Sequence, residues 1–143
     1  MVGAGNFIWI CDFGGFTFAA IFTKPIYMQA KPNPLKTKSL QFAVDIIEFT
    51  TALNEMRQYV IAKQLTKSGT SIGANIYEAQ TPESRNDFVH KLKIAAKEAS
   101  ETDFWLEVCR TSPHLPDPGM LEGNLKEIQK MLTSSINTCR TRS

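Results

Sequence analysis

From about residue 37 to residue 141 the apolar positions recur with the 3.6-residue period of amphipathic helices, and four segments separate cleanly. The first is expected to begin near Thr37 or Ser39, either of which can cap a helix, and to run to about Asn54. Its apolar residues Leu40, Ala43, Val44 and Ile47 adjoin a second set, Phe42, Ile46, Phe49 and Leu53, so more than half its circumference is apolar. One buried stripe would satisfy a helix of a lone bundle, and this breadth implies a further partner, a second subunit or the N-terminal arm. The second helix is expected over Gln58 to Gln80. Thr81-Pro82 ends it and opens the third, with Thr81 as cap and Pro82 at the first helical position, where its missing N–H costs nothing. The third runs to Thr111 with Phe88, Leu92, Ala95, Ala96, Ala99, Trp105, Leu106 and Cys109 inward. After the breaker-rich loop Ser112 to Gly119, Leu121, Leu125, Ile128, Leu132, Ile136 and Cys139 mark the fourth. Four helices on short loops predict an all-α, antiparallel up-down-up-down four-helix bundle over residues 36–143.

The second helix is organised by period against its own composition. Gly69 and Gly73 each cost roughly 1 kcal/mol relative to Ala inside a helix, yet Leu65, Gly69, Ile72, Ile76 and Ala79 keep helical spacing. One residue behind runs a second stripe, Gln64, Ser68, Ser71, Asn75 and Glu78, which contains no Lys or Arg. We read it as an oligomer seam, a face that meets protein and not water. Small residues at Ala95, Ala96 and Ala99 on the third helix are expected to receive Gly69 and Gly73 in a close helix contact.

Residues 1–35 differ in character from the helical region. Phe7 to Phe22 is aromatic and nearly uncharged, but Asp12 interrupts it, it falls short of the roughly 20 residues a spanning helix needs, and no basic residue precedes it as in a secretory signal. Met28 is a natural alternative start, which would make the first 27 residues extraneous; a hydrophobic arm or weak strand, and a membrane-associated segment, are the other readings. Gln29 to Lys38 reads as a Pro- and Lys-rich linker.

Composition adds little to the pattern. With 143 residues one domain suffices, and 16 bases against 14 acids neither require nor exclude nucleic acid. Cys11, Cys109 and Cys139 form no metal-ligand spacing and no disulfide framework, which suits a reducing cytoplasm. A di-iron bundle would need paired Glu-x-x-His motifs, and the chain offers only Asp87-x-x-His90, with His114 in a loop. Ser68 and Ser71 have no His at activating spacing. Gly69 and Gly73 lie inside a helix without the Lys-Ser/Thr of a phosphate loop. Glu78 and Glu98 are a candidate carboxylate pair, although pairing with Lys63, Lys67 or Arg85 of a neighbour fits better. No catalytic residue, metal, cofactor or small-molecule substrate is expected. Candidate nucleic-acid contacts are Lys36 and Lys38 at the entrance, Lys63 and Lys67 on the second helix, Arg85, Lys91, Lys93 and Lys97 on the third, and Arg140 and Arg142 at the end. Repeated around a ring they would form a belt whose phosphate contacts add in the logarithm of affinity.

The string Lys63 to Ala79, with Ser84 to Phe88, Ala95 to Ala99 and Glu101 to Leu106, resembles the bacterial four-helix bundle family first noted in open reading frames within 23S ribosomal RNA intervening sequences, over about residues 36–140. The resemblance implies a homopentamer around a central axis and a fold related to the accessory proteins of diversity-generating retroelements, which bind a reverse transcriptase and nucleic acid. The expected function is thus a non-enzymatic, homo-oligomeric accessory to RNA, DNA or a reverse transcriptase. The alternatives are a scaffold without nucleic-acid binding, or a cofactor-dependent enzyme with a site in the bundle interior.

Overall fold

The bundle begins at an asparagine followed by a proline. Asn33 is extended (φ −90°, ψ 101°) and its side-chain oxygen accepts the Lys36 N–H at 3.2 Å, so α1 spans Pro34–Glu55. The expected start at Thr37 or Ser39 is therefore too late. A proline bars helix at the residue before it but is preorganised for the first helical position itself. The computed structural model describes residues 10–13, 16–19 and 33–141, with side chains from 33 to 139. The chain divides into two units, Met1–Pro32 and Asn33–Ser143. In the first, β1 (Ile10–Phe13) and β2 (Phe16–Ala19) pair antiparallel as a hairpin, with Ile10 opposite Ala19 and Phe13 opposite Phe16. The weak-strand reading of this segment thus has a counterpart, and most of residues 1–32, Met28 included, lies outside the described residues.

In the second unit α1 stops in a tight reversal. The Gln58 N–H returns to Leu53 O at 2.8 Å, and Arg57 takes a left-handed φ of 61°. Such a conformation is uncommon for a side chain with a Cβ and marks a sharp turn. Helix α2 spans Tyr59–Glu78. Helix α3 spans Arg85–Thr111 and is capped by Ser84, which accepts the Asp87 N–H at 3.0 Å, while the Asp87 carboxylate accepts the Glu83 N–H at 3.2 Å. The expected Thr81-Pro82 start is corrected: the Thr81 hydroxyl donates backwards to Glu78 O, and the reciprocal arrangement at Ser84 and Asp87 satisfies two N–H groups at once. Helix α4 covers Met120–Thr141.

Cross-helix contacts fix the topology. Ser39 lies by Gly73, Ile46 by Gly69 and Thr50 by Thr66, so α2 runs antiparallel to α1. Ser68 meets Thr102 and Glu78 meets Lys91, which reverses α3 against α2. Arg110 with Glu122, and Lys38 with Glu127, complete an up-down-up-down square. The core holds the predicted stripes: Phe42, Ile46, Leu65, Ile72, Leu92, Leu106, Leu125, Ile128 and Leu132 are all essentially inaccessible.

One packing expectation is overturned. Gly69 and Gly73 face α1, not the alanines of α3. A Cβ at Gly69 would come within 2.9 Å of both γ carbons of Ile46, and one at Gly73 within 3.3 Å of Ser39 O. Ala95 and Ala99 are fully buried in the core. The glycines thus serve a close α1–α2 contact, where a bulky Ile46 fits only because Gly69 presents no side chain.

Candidate oligomer seam and nucleic-acid surface

The stripe singled out on α2 forms one wall of the groove between α2 and α3. Ser68 is fully buried, donates to Gln64 O at 3.0 Å, and lies 3.0 Å from the Thr102 hydroxyl. It meets protein, but within its own subunit, and it drops out of any intersubunit seam. Within the subunit Glu78 pairs with Lys91 of α3. The acid raises the Lys91 pKa through its hydrogen bond and charge. Gln64, Ser71 and Asn75 are half-buried along the groove, and Asn75 donates to Ser71 O at 2.8 Å. Facing them on α3 are the half-buried Ile94, Glu98, Glu101 and Trp105. The Glu98 carboxylate has one oxygen, Oε2, that is buried without a hydrogen-bond partner.

On the neighbouring α1–α2 face, Leu40, Val44 and Ile47 are 52%, 42% and 50% exposed, one helical turn apart in succession. Tyr59 and Tyr77 of α2 stand exposed on the same side, with Lys63 and Lys67 beside them. Within the bundle unit, the apolar breadth read from the sequence is therefore surface that none of its own four helices covers. Single exposed apolar residues need no explanation; a stripe of this length does.

The candidate cations separate into two groups. Lys38 pairs with Glu127, Lys91 with Glu78, Lys36 stands 4.5 Å from the Tyr77 ring centroid, and Arg85 donates to Cys139 O. These four make their contacts within the subunit. Lys63, Lys67, Lys93 and Lys97 are exposed and, among the described residues, make no ion pair. The side chains of Arg140 and Arg142 lie outside the described residues. Sequence reasoning missed Lys126 and Lys130, exposed one turn apart on α4. With Gln129, Thr133, Ser134 and Asn137 they line a shallow groove of about 490 Å³. The signal was present as a four-residue spacing, masked by the alternating acids Glu122 and Glu127.

Among the described residues no group of three His, Cys, Asp or Glu side chains is placed to hold a metal, and no helix is long and apolar enough to cross a membrane. Asp87 of the near-miss metal motif is used in the α3 cap. Cys109 is buried, and burial pushes its thiol pKa up, so it behaves as a core residue and not as a nucleophile.

Comparison with known proteins agrees with this architecture. A solved structure from Bacteroides thetaiotaomicron, described as a protein with unknown function from the S23 ribosomal protein family, shares 45% identity and superposes with a TM-score of 0.68, covering 71% of this chain and 97% of its own. No curated protein matches the sequence. The family model of the 23S rRNA-intervening sequence protein matches residues 33–134, which is the bundle from the α1 cap into α4. With its four helices and the larger part of its length matched, this chain belongs to the 23S rRNA-intervening sequence protein family.

Proposed function

We propose that this chain is a non-enzymatic, self-associating helical bundle that acts in the cytoplasm as an accessory to nucleic acid. The observation that carries the reading is the exposed aliphatic stripe of α1, Leu40, Val44 and Ile47, which a water-facing helix of a monomer does not need. Self-association would bury it and repeat the unpaired lysines of each copy. Lys93 and Lys97 on α3 and Lys126 and Lys130 on α4 lie away from that stripe, so an assembly built on it leaves them free to meet phosphate. Each phosphate neutralised adds to the salt dependence of binding, so a weakly basic chain gains affinity by multiplication. The names of the family, for 23S rRNA intervening sequences, and of the Bacteroides relative, for a ribosomal protein family, favour RNA as that nucleic acid. Within this reading the assembly is a pentamer and its protein partner a reverse transcriptase, as the sequence resemblance implies.

Filter binding of the full chain to structured RNA across a salt series tests the proposal. The logarithm of affinity is expected to fall linearly with the logarithm of salt, and Lys97→Glu with Lys130→Glu to flatten that slope. Absence of binding, or an affinity indifferent to salt, would sink it.

A further inference from the structure

We infer that the groove between α3 and α4 takes single-stranded RNA, with the Phe104 ring as the platform on which an unpaired base stacks. The inference rests on the nucleic-acid role proposed above and deepens it by naming the form of the ligand and the residue that selects it. Its starting point is an aromatic side chain that the core does not use. Phe104 is 58% exposed on the outer side of α3, yet its ring is braced in a T-shaped contact with Trp105, 5.1 Å between centroids and 71° between planes. Trp105 is half-buried and packs against the core, so the exposed ring is held from behind. A fixed, water-facing aromatic is what base stacking requires, because every base has a π-face to lay on it.

The groove beside the ring has the charge of a phosphate track. Phe104 lines a depression of about 570 Å³ with Ser100, Asp103, Glu107, Arg110, Glu122 and Lys126. Lys126 also opens the shallow groove of Gln129, Lys130 and Thr133, so the two run on from one another along the bundle. The Arg110–Glu122 ion pair at 3.3 Å and the Arg85 hydrogen bond to Cys139 O set the antiparallel register of α3 and α4. That register brings Lys126 to the height of Phe104, Lys130 and Thr133 to that of Lys97, and Asn137 to that of Lys93. From Phe104 to Lys93 the helix rises about 16 Å, room for a few nucleotides. Lys93 and Lys97 flank this length from α3, Lys126 and Lys130 from α4, all exposed and, among the described residues, without ion pairs. The acids nearest in sequence, Glu127 and Glu98, turn to α1 and α2 instead. Beyond Phe104 the sign reverses: Asp103, Glu107 and Glu122 gather there, and Glu107 and Glu122 take up the charge of Arg110. Phosphates are thus drawn along the lysines as far as Phe104 and repelled past it, which leaves the ring at the end of the track to meet a base.

Two features select an unpaired strand. In a duplex the bases stack on one another and show no face to a side chain, so Phe104 would stay in water and the lysines alone would contribute. Gln129, Thr133 and Ser134 line the groove with amide and hydroxyl groups that both donate and accept hydrogen bonds. Such groups suit the Watson–Crick edges that only unpaired bases expose. Within a structured RNA the ligand is therefore a loop or a single-stranded tail.

Fluorescence anisotropy of the full-length chain with a labelled single-stranded RNA of about twelve nucleotides, and with the same strand annealed to its complement, tests this. The duplex carries twice the phosphates, so binding by charge alone favours it. The single strand is nevertheless expected to bind roughly fivefold more tightly or better. Phe104→Ala, at an exposed position, is expected to weaken single-strand binding by about five- to a hundredfold. It should leave the salt dependence unchanged, since no phosphate contact is lost. Phe104→Trp should bind as wild type or better, and circular dichroism confirms that both variants stay helical. Absence of binding to either RNA overturns this inference and the nucleic-acid role beneath it. A duplex bound as tightly as the single strand overturns the choice of ligand alone. A single-strand preference that Phe104→Ala leaves unmoved overturns the stacking platform and assigns the exposed ring to a protein contact.

Discussion

Replacing Gly69 by Ala should destabilise the bundle even though it improves the helix. In an exposed helix the change would be worth about 1 kcal/mol in favour of Ala. Here the added methyl would stand 2.9 Å from two carbons of Ile46 and 3.3 Å from a third, all close to the α1 backbone on a β-branched side chain with no free rotamer to retreat into. Two contacts of 2.9 Å put the overpacking in the upper part of the usual range, at about 2–3 kcal/mol, so the net loss is about 1–2 kcal/mol, a fall in melting temperature of roughly 5–10 °C for a domain of this size. Gly73→Ala provides the internal control. Its methyl has one tight contact, Ser39 O at 3.3 Å, with Ser39 C and Oγ at ordinary van der Waals distance, so the propensity gain and the contact should nearly cancel. Thermal and urea melts of both variants, followed by circular dichroism, read the difference directly. A cycle with Ile46→Ala sharpens it: removing the γ carbons should relieve most of the Gly69→Ala penalty, giving a coupling above about 1 kcal/mol. If Gly69→Ala melts at or above wild type, or as Gly73→Ala does, the close α1–α2 contact is not as described.

Two further outcomes are expected. Thr102→Val removes a buried hydroxyl that lies 3.0 Å from Ser68 Oγ and 2.8 Å from Glu98 O; it should cost about 1–2 kcal/mol in chemical denaturation, and Ser68→Ala in the same chain should cost less than additively, because both ends of the contact are then apolar. The Lys38 ammonium, through its hydrogen bond and then its charge, holds the Glu127 carboxyl below the usual range. A depressed carboxyl contributes stability that is present above its unfolded pKa and is lost as pH falls through the folded one, so Lys38→Met should move the Glu127 titration, followed by NMR, back up toward the ordinary glutamate range and weaken the acid dependence of unfolding. An unchanged titration would mean that the pair does not form in solution.

The fold was legible wherever period alone decides. Leu121, Leu125, Ile128 and Leu132 could be assigned to a core from spacing, and all four are buried. Two helix starts were misplaced for a shared reason: several residues can cap, and the choice depends on which N–H groups the backbone presents. Asn33 and Ser84 each accept an N–H three residues on, which Thr37 and Thr81 do not. The partner of the glycines was illegible because α1 and α3 both offer candidates, Ser39 on one and the alanines on the other, and only tertiary register selects between them. The α2 stripe is of mixed burial, with Ser68 buried, Gln64, Ser71 and Asn75 half-buried and Glu78 exposed. Its division into an intrasubunit member, Ser68, and half-buried members, Gln64, Ser71 and Asn75, depends on a few tens of degrees of helix rotation that sequence does not encode.

The reversal at Arg57 and the glycine contact it permits also bear on the order in which the bundle assembles. Helices α1 and α2 meet across a connection of three residues, Met56 to Gln58, so their contacts form at little loop-closure cost. The ion pair from Lys38 to Glu127 spans 89 residues and can form only once the intervening chain is in place. Such a topology favours a helical hairpin of α1 and α2 as the earliest structured element, with α4 docking last and detaching first. Native-state hydrogen exchange should accordingly find the most protected amides beside Ile46 and Gly69, and earlier exchange along α4. The aliphatic stripe of α1 belongs to that early hairpin, so the surface through which copies would meet is already formed before the subunit itself is closed.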